Sequence, residues 1–415
     1  MPLVFTDREI VNQLSLARPS LLRSGLAGPD VGLIPGIKTL RVGPGAMSLP
    51  ALIDRSPDLP RFLEACLPEE ASCGFGIGAD QLYGSAGGEF IERYSAGYLP
   101  DVFDAPHEEE IIPATEFMPF TEEQYAQPGF SYAHPDTVED LPYVSVHRAI
   151  DHSVRAVPAD LVHLNPGDRT RWCTVTSNGL GAGRSYAMAA RAAVFELVER
   201  DGFLRAWYRR TSGATLRIPE TIPGHFSPAL RGACRQLELQ GVTVTLVRLE
   251  GPGGLPVVLS CARSDRVGLA VGCSSKPDIS AAMTAAFVES LHTYNWGLAE
   301  AAASSMPTEV ESLRDHIAFH SRPSNRHFNE FLDSGPAVTE AEFVREGIHP
   351  LPAALFALEG AGWQVYLADV RSPDVASQGW HVIRALSPQA ATLDVDEPHL
   401  RQHPDAVHTT PHPFP

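Results

Sequence analysis

The run AMAARAAVFELVERDGF, residues 187–203, constrains the fold more than any other stretch of this chain. Ala192, Ala193, Val194, Leu197, Val198 and Phe203 leave it almost no polar face, the pattern of a helix buried on several sides. Yet the same run carries Glu196, Glu199 and Arg200, and a near copy, Glu89, Glu92 and Arg93, stands more than a hundred residues earlier in EFIER. Helix positions three and four apart share a face, so each trio forms one cluster. A single E-x-x-E-R is ordinarily a solvated ion pair worth roughly 0.2–0.5 kcal/mol. In an apolar helix the acids cannot all be solvated, and an uncompensated buried carboxylate costs several kcal/mol. One arginine for two glutamates leaves negative charge over. Magnesium would supply the missing charge, because it takes carboxylate and phosphate oxygens together.

The acid-bearing helices recur with a common prelude. ASCGFGIGADQLYGSAGG leads into a helix expected from near Ser85; the loop TSNGLGAG leads into one from about Ser185 to Arg210; VGLAVGCSSKPD leads into a third from about Ile279 to Leu298. Glycine loops ahead of helices present backbone N–H groups and the positive dipole end to phosphate oxygens. No G-x-x-x-x-G-K-[ST] occurs, which excludes a P-loop. The intervals are too uneven for a solenoid. Strands are expected in YVSVHRAI, RAVPADLVHL, GVTVTLVRLEG, LPVVLSCA, GWQVYLADV and WHVIRAL. Residues 1–70 read as a segment leading into the fold, with short strands between turns, and 100–140 as a surface excursion with loops.

At 415 residues, 44% apolar and 20% charged, the chain has the composition of a soluble globular protein with one large domain or two ordinary ones. A net charge of -18 argues against nucleic acid or an anionic membrane as partner. The six cysteines form no C-x-x-C pair, so neither a disulfide framework nor a structural zinc is expected. No basic leader and no membrane-length apolar run is present in the sequence, which points to the cytoplasm.

SAGGEFIERYS (85–95), TSNGLGAG with FELVERDGF (176–203), GCSSKPDISAAMTAAFVESLHT (272–293) and the final PHPFP together resemble the YcaO superfamily. More narrowly, they are similar to its ATP-dependent cyclodehydratases, which make azoline rings in ribosomal peptides. The resemblance runs in order from about residue 70 to the last residue. It implies an α+β fold with two related halves enclosing an ATP-binding cleft, spanning about 71–400, followed by a proline-rich tail at 401–415. It implies that Glu89, Glu92, Glu196 and Glu199 hold Mg2+, and that Ser85, Arg93, Ser177, Asn178, Arg200 and Glu289 bind ATP. From composition alone PHPFP reads as a disordered or polyproline II tail. The resemblance instead extends Pro411, Pro413 and Pro415 toward the active site in a catalytic role.

Three positions depart from the family's usual residues. Met188 stands where an additional Glu is usual, Ile77 lies in Gly76-Ile77-Gly78 where G-K-G is common, and His292 stands where Gln often follows the third-helix acid. A methionine does not hold magnesium, and a helix histidine is more often a packing residue than a catalyst. Two other functions therefore stay open: a weakened scaffold subunit of a synthetase, and a thioamide- or amidine-forming enzyme. The expected partners are a precursor peptide and a separate E1-like, leader-peptide-binding protein, with a homodimer as the default assembly.

Overall fold

The structure is a computed structural model that describes residues 37–40, 51–54, 73–74, 79–100, 107, 110–117, 119–165, 167, 169–174, 176–301, 310, 312–345, 347–391, 393 and 406–414. Three antiparallel sheets are present among these residues. A small one joins β1 (Ile37–Leu40), β2 (Ala51–Asp54) and β3 (Cys73–Gly74). A five-stranded sheet runs in the order β5 (Val154–Pro158), β4 (Tyr143–Arg148), β11 (Tyr366–Asp369), β12 (His381–Leu386), β6 (Leu180–Gly183). A four-stranded sheet runs β10 (Ala270–Ser274), β9 (Pro256–Arg263), β8 (Thr243–Glu250), β7 (Ala214–Ile218).

Strand alternation gives each of the two larger sheets two apolar faces. On the five-stranded sheet, Tyr366, Ala368 and Val382 pack with Phe90, Ile91 and Tyr94 of helix α1 (Ala79–Gly97). The opposite face, Leu367, Ile383 and Ala385, packs with helix α2 (Tyr186–Arg209). On the four-stranded sheet, Val247, Val257, Leu259 and Val271 also meet α2. Its outer face, Val244, Leu246, Val258 and Ala262, meets α3 (Pro228–Leu239) and α4 (Ile279–Ala301). The layers are therefore α1, sheet, α2, sheet, α3 with α4. This makes α2 the central helix, which explains why its sequence is apolar all round: Ala193, Val194, Leu197, Val198, Phe203 and Trp207 are all buried. Ser185 caps it, accepting the Met188 N–H at 3.3 Å.

The α+β class follows the sequence expectations, as do strands β4, β5, β8, β9, β11 and β12; β7 and β10 were not expected as strands. Two local expectations are corrected. Helix α1 starts at Ala79, not near Ser85. The second half of TSNGLGAG is no loop but the edge strand β6. Its glycines permit close contact with a helix rather than a turn: a Cβ on Gly181 would sit 2.5 Å from both Ala189 O and Ala193 N of α2. Gly272 repeats the device on the other edge strand, where a Cβ would sit 2.4 Å from Ala286 O and Ser290 N of α4. The strands β6 and β10, each lying against the helix that follows it, are thus built alike. Among the described residues no helix is long and apolar enough to cross a membrane.

Candidate active site

Edge strands present N–H groups that no neighbouring strand satisfies. In β6 the Ala182 N–H, one residue past Gly181, donates to Glu92 Oε1 of α1 at 2.6 Å. In β10 the Cys273 N–H, one residue past Gly272, donates to Glu289 Oε2 of α4 at 2.9 Å. The Ser275 N–H donates to Glu199 Oε2 of α2 at 3.2 Å. Arg200 Nη2 stands 3.5 Å from Glu196 Oε1, and its Nε stands 3.7 Å from Glu199 Oε1. Arg93 pairs with Glu89 at 2.6 Å. Glu89 and Glu92, three residues apart on α1, therefore do different work: one takes the arginine, the other crosses to the strand.

The charges reveal which acids face one another. Burial, with the Glu196 charge next, pushes Glu92 up to about 8, against the Ala182 hydrogen bond. Burial pushes Glu196 up to about 7, with Arg200 opposing it and Glu199 adding to it. Burial, then the Glu199 charge, pushes Glu289 up to about 8. Glu199, only 7% exposed, is raised by burial and held down chiefly by Arg200. The acids of α1 and α2 thus sense each other, and those of α2 and α4 do too. The sequence alone did not single out Lys276, whose charge lowers Glu196, Glu199 and Glu289. It had a signal available: Lys38 and Lys276 are the chain's two lysines, against 30 arginines.

Other expected site residues lie around this centre. Ser85 is half-buried on α1, one turn before Glu89. Ser177 and Asn178 precede β6, and the Ser177 carbonyl accepts the Leu180 N–H at 3.1 Å. The Asn178 amide is turned to Thr176 Oγ1 and, at 3.4 Å, to Leu393 O. Arg384 Nη1 donates to Thr176 O at 2.7 Å, and its charge lowers Glu196. Thr176, Asn178 and Arg384 border a cavity of about 60 Å³ together with Leu197 and Ser387. That is far below the roughly 300–1,000 Å³ of a nucleotide-sized pocket, so it holds water at most.

Residues 411–414 of the proline-rich tail are docked rather than free, contrary to their composition. Pro411, His412, Pro413 and Phe414 are all buried, and the Phe414 ring covers the Arg200 guanidinium at 4.0 Å. Phe414, His412 and the histidines that hold this segment, His316 and His320, were not foreseen. Pro415 and Ile77 lie outside the described residues. Met188 is 47% exposed on the first turn of α2. The His292 ring meets Trp296 at 5.5 Å, tilted by 40°, and burial lowers it to about 4, so it is neutral at pH 7.

Among the described residues no three His, Cys, Asp or Glu side chains form a ready metal cage. The donor chemistry nevertheless fits Mg2+. Five carboxylates, Glu89, Glu92, Glu196, Glu199 and Glu289, gather with three cations, Arg93, Arg200 and Lys276. Magnesium binds through one or two protein carboxylates, completing its shell with waters and substrate phosphates, so it needs no cage.

No curated protein matches this sequence. Several solved structures share the fold, three of them as follows. A heterocyclase in complex with substrate and cofactor is 17% identical with a TM-score of 0.69, over 93% of this chain and 52% of its own. This chain therefore spans about half its length. YcaO from Methanopyrus kandleri bound with AMPPCP and Mg2+ is 20% identical with a TM-score of 0.63, over 97% of this chain and 96% of its own. A chain of the E. coli microcin synthetase McbBCD complex is 14% identical with a TM-score of 0.59, over 84% of this chain and 86% of its own. Residues 74–391 match the family model described as YcaO cyclodehydratase, ATP- and Mg2+-binding. With most of its length accounted for by that match, the chain belongs to the YcaO cyclodehydratase family.

Proposed function

We propose that this protein is an ATP-dependent cyclodehydratase that converts Cys, Ser or Thr residues of a ribosomal precursor peptide to azolines. The observation that carries this is the convergence of Glu92 and Glu196 from distant helices into one half-buried acidic centre, in a chain of this family. Residues 71–400 form the catalytic unit, 1–70 lead into it, and 401–415 form the tail. Glu89, Glu92, Glu196 and Glu199 hold Mg2+, which neutralises phosphate charge. Ser85, Arg93, Ser177, Asn178, Arg200 and Glu289 bind ATP, and Pro411, Pro413 and Pro415 shape the peptide end of the site.

In the reaction the peptide's side-chain thiol or hydroxyl adds to the preceding amide carbonyl. The resulting hemiorthoamide oxygen attacks the γ-phosphorus of ATP, and ADP leaves. Expulsion of phosphate, with loss of the N–H proton, then forms the C=N bond of the ring that the addition closed. Phosphorylation turns an amide oxygen, a poor leaving group, into a good one. The protein's part is to orient the reactants and neutralise developing charge.

The described cysteines Cys173, Cys234, Cys261 and Cys273 are free and buried, which suits a reducing compartment such as the cytoplasm. A separate leader-binding partner is supported by two likenesses: one similar heterocyclase is about twice as long, and another similar chain comes from a synthetase complex with pro-MccB17 bound. Homodimerisation is the default assembly, and sedimentation measures it. The test is phosphate release together with a mass loss of one water per ring, using precursor peptide with and without the partner. ATP-dependent water loss supports the proposal. Partner binding with no ATP turnover would assign the scaffold role instead.

A further inference from the structure

Proline lacks an N–H, so the stretch Pro411–Phe414 offers a docking surface mostly carbonyl acceptors. Helix α5 (Leu313–His320) answers with two donors one turn apart, His316 and His320. His316 Nδ1 lies 2.6 Å from His412 O, and its ring stacks on His412 at 4.3 Å. His320 Nε2 lies 2.7 Å from Pro411 O.

The His320 tautomer follows from its neighbours. Arg263 Nη1 donates to Asn329 Oδ1 at 2.7 Å, which orients the amide so that Asn329 Nδ2 points to His320 Nδ1 at 3.0 Å. With Nδ1 accepting, Nε2 carries the proton that Pro411 O receives. Arg263 is itself held by Asp333 at 2.8 and 2.9 Å. On the other side, Trp207 Nε1 donates to Thr410 O at 3.1 Å, and Phe203 meets Phe414 at 5.2 Å. Arg200, Phe203 and Trp207 line one stripe of α2, so the segment runs along the helix until Phe414 covers Arg200. Arg200 Nη1 is buried with no hydrogen-bond partner among the described residues.

We infer that Phe414 is a positioning residue: it holds the Arg200 guanidinium by its face, between Glu196 and Glu199, leaving an N–H edge for an anionic ligand, while His316 and His320 set the register of the segment. This rests on the proposed function, in which that ligand is the ATP phosphate. A ring on the guanidinium face excludes water and restrains the arginine without using its donors.

The test is calorimetric binding of a non-hydrolysable ATP analogue with Mg2+. Phe414→Leu, which keeps burial but removes the π face, is expected to weaken binding about fivefold, and Phe414→Tyr to restore it within about twofold. In an Arg200→Gln background Phe414→Leu should cause no further loss, whereas a merely structural role would add its full effect there. Should Phe414→Leu misfold, Phe414→Met carries the same comparison, and His320→Gln is expected to shift affinity in the same direction. Unchanged affinity in Phe414→Leu, with normal wild-type binding, overturns the inference and leaves the proposed function standing. Absence of wild-type binding overturns both.

Discussion

Glu92, Glu196 and Glu289 hold protons at a pH where exposed glutamates have lost theirs, because burial and mutual repulsion raise them to about 8, 7 and 8. Cations bind the ionised form, so uptake of Mg2+ with nucleotide must expel protons. Affinity is expected to rise from pH 6 to about 8 and then level off, with net proton release measured by calorimetry in buffers of different ionisation enthalpy. Proton uptake would contradict this. For the metal-free protein the sign is opposite: acids raised in the fold favour it below their ordinary value of 4.5, and that contribution is lost as pH rises through 7–8. His320, lowered to about 3 by burial, contributes stability above 6.5 that is lost as pH falls. The two windows separate above 6.5, so the thermal midpoint without Mg2+ should drop between pH 6.5 and 8.5, and Mg2+ with nucleotide should reduce the drop. Lys276→Gln removes a charge that lowers three of these acids. It is expected to weaken nucleotide binding at pH 7 on the order of tenfold, the worth of a charge-assisted contact, and to move the pH curve upward. At this scale the acids were legible because E-x-x-E-R in an apolar helix is an energetic contradiction. Lys276 and Phe414 were not, because their partners come from other elements.

The two edge strands show how an element is misread. Glycine in TSNGLGAG weighs as turn chemistry in sequence, yet Gly181 is a strand residue pressed on α2, as Gly272 is on α4. The signal is tertiary: only the approach of helix backbone distinguishes a strand glycine from a turn glycine. Gly181→Ala and Gly272→Ala are each expected to cost at least about 2 kcal/mol in denaturant unfolding, since the new Cβ meets backbone that cannot swing aside. Gly232→Ala on α3, where nothing lies within 4 Å, is expected instead to stabilise by roughly 0.5–1 kcal/mol. Equal effects at these sites would contradict the close-packing explanation. Helix α2, by contrast, was placed to within a residue, because its apolar run and Ser185 cap are local signals.

At the scale of the whole molecule, the layers explain why the same acid pattern appears twice in sequence. Two sheets share α2 between them, and each ends in an edge strand whose free N–H meets a glutamate from a helix, Glu92 on β6 and Glu289 on β10. Helix α2 brings Glu196 toward the first of these acids and Glu199 toward the second. A chain of net charge -18 thus concentrates acid at its centre as well as on its surface. The most direct measurement is a double-mutant cycle of Glu92→Gln and Glu196→Gln on Mg2+-dependent binding of an ATP analogue. A shared metal-bound phosphate requires each single change to weaken binding by roughly tenfold or more, and the double change by clearly less than the product. Unchanged affinity in either variant, or losses that simply multiply, would show that the two helices do not hold one nucleotide between them.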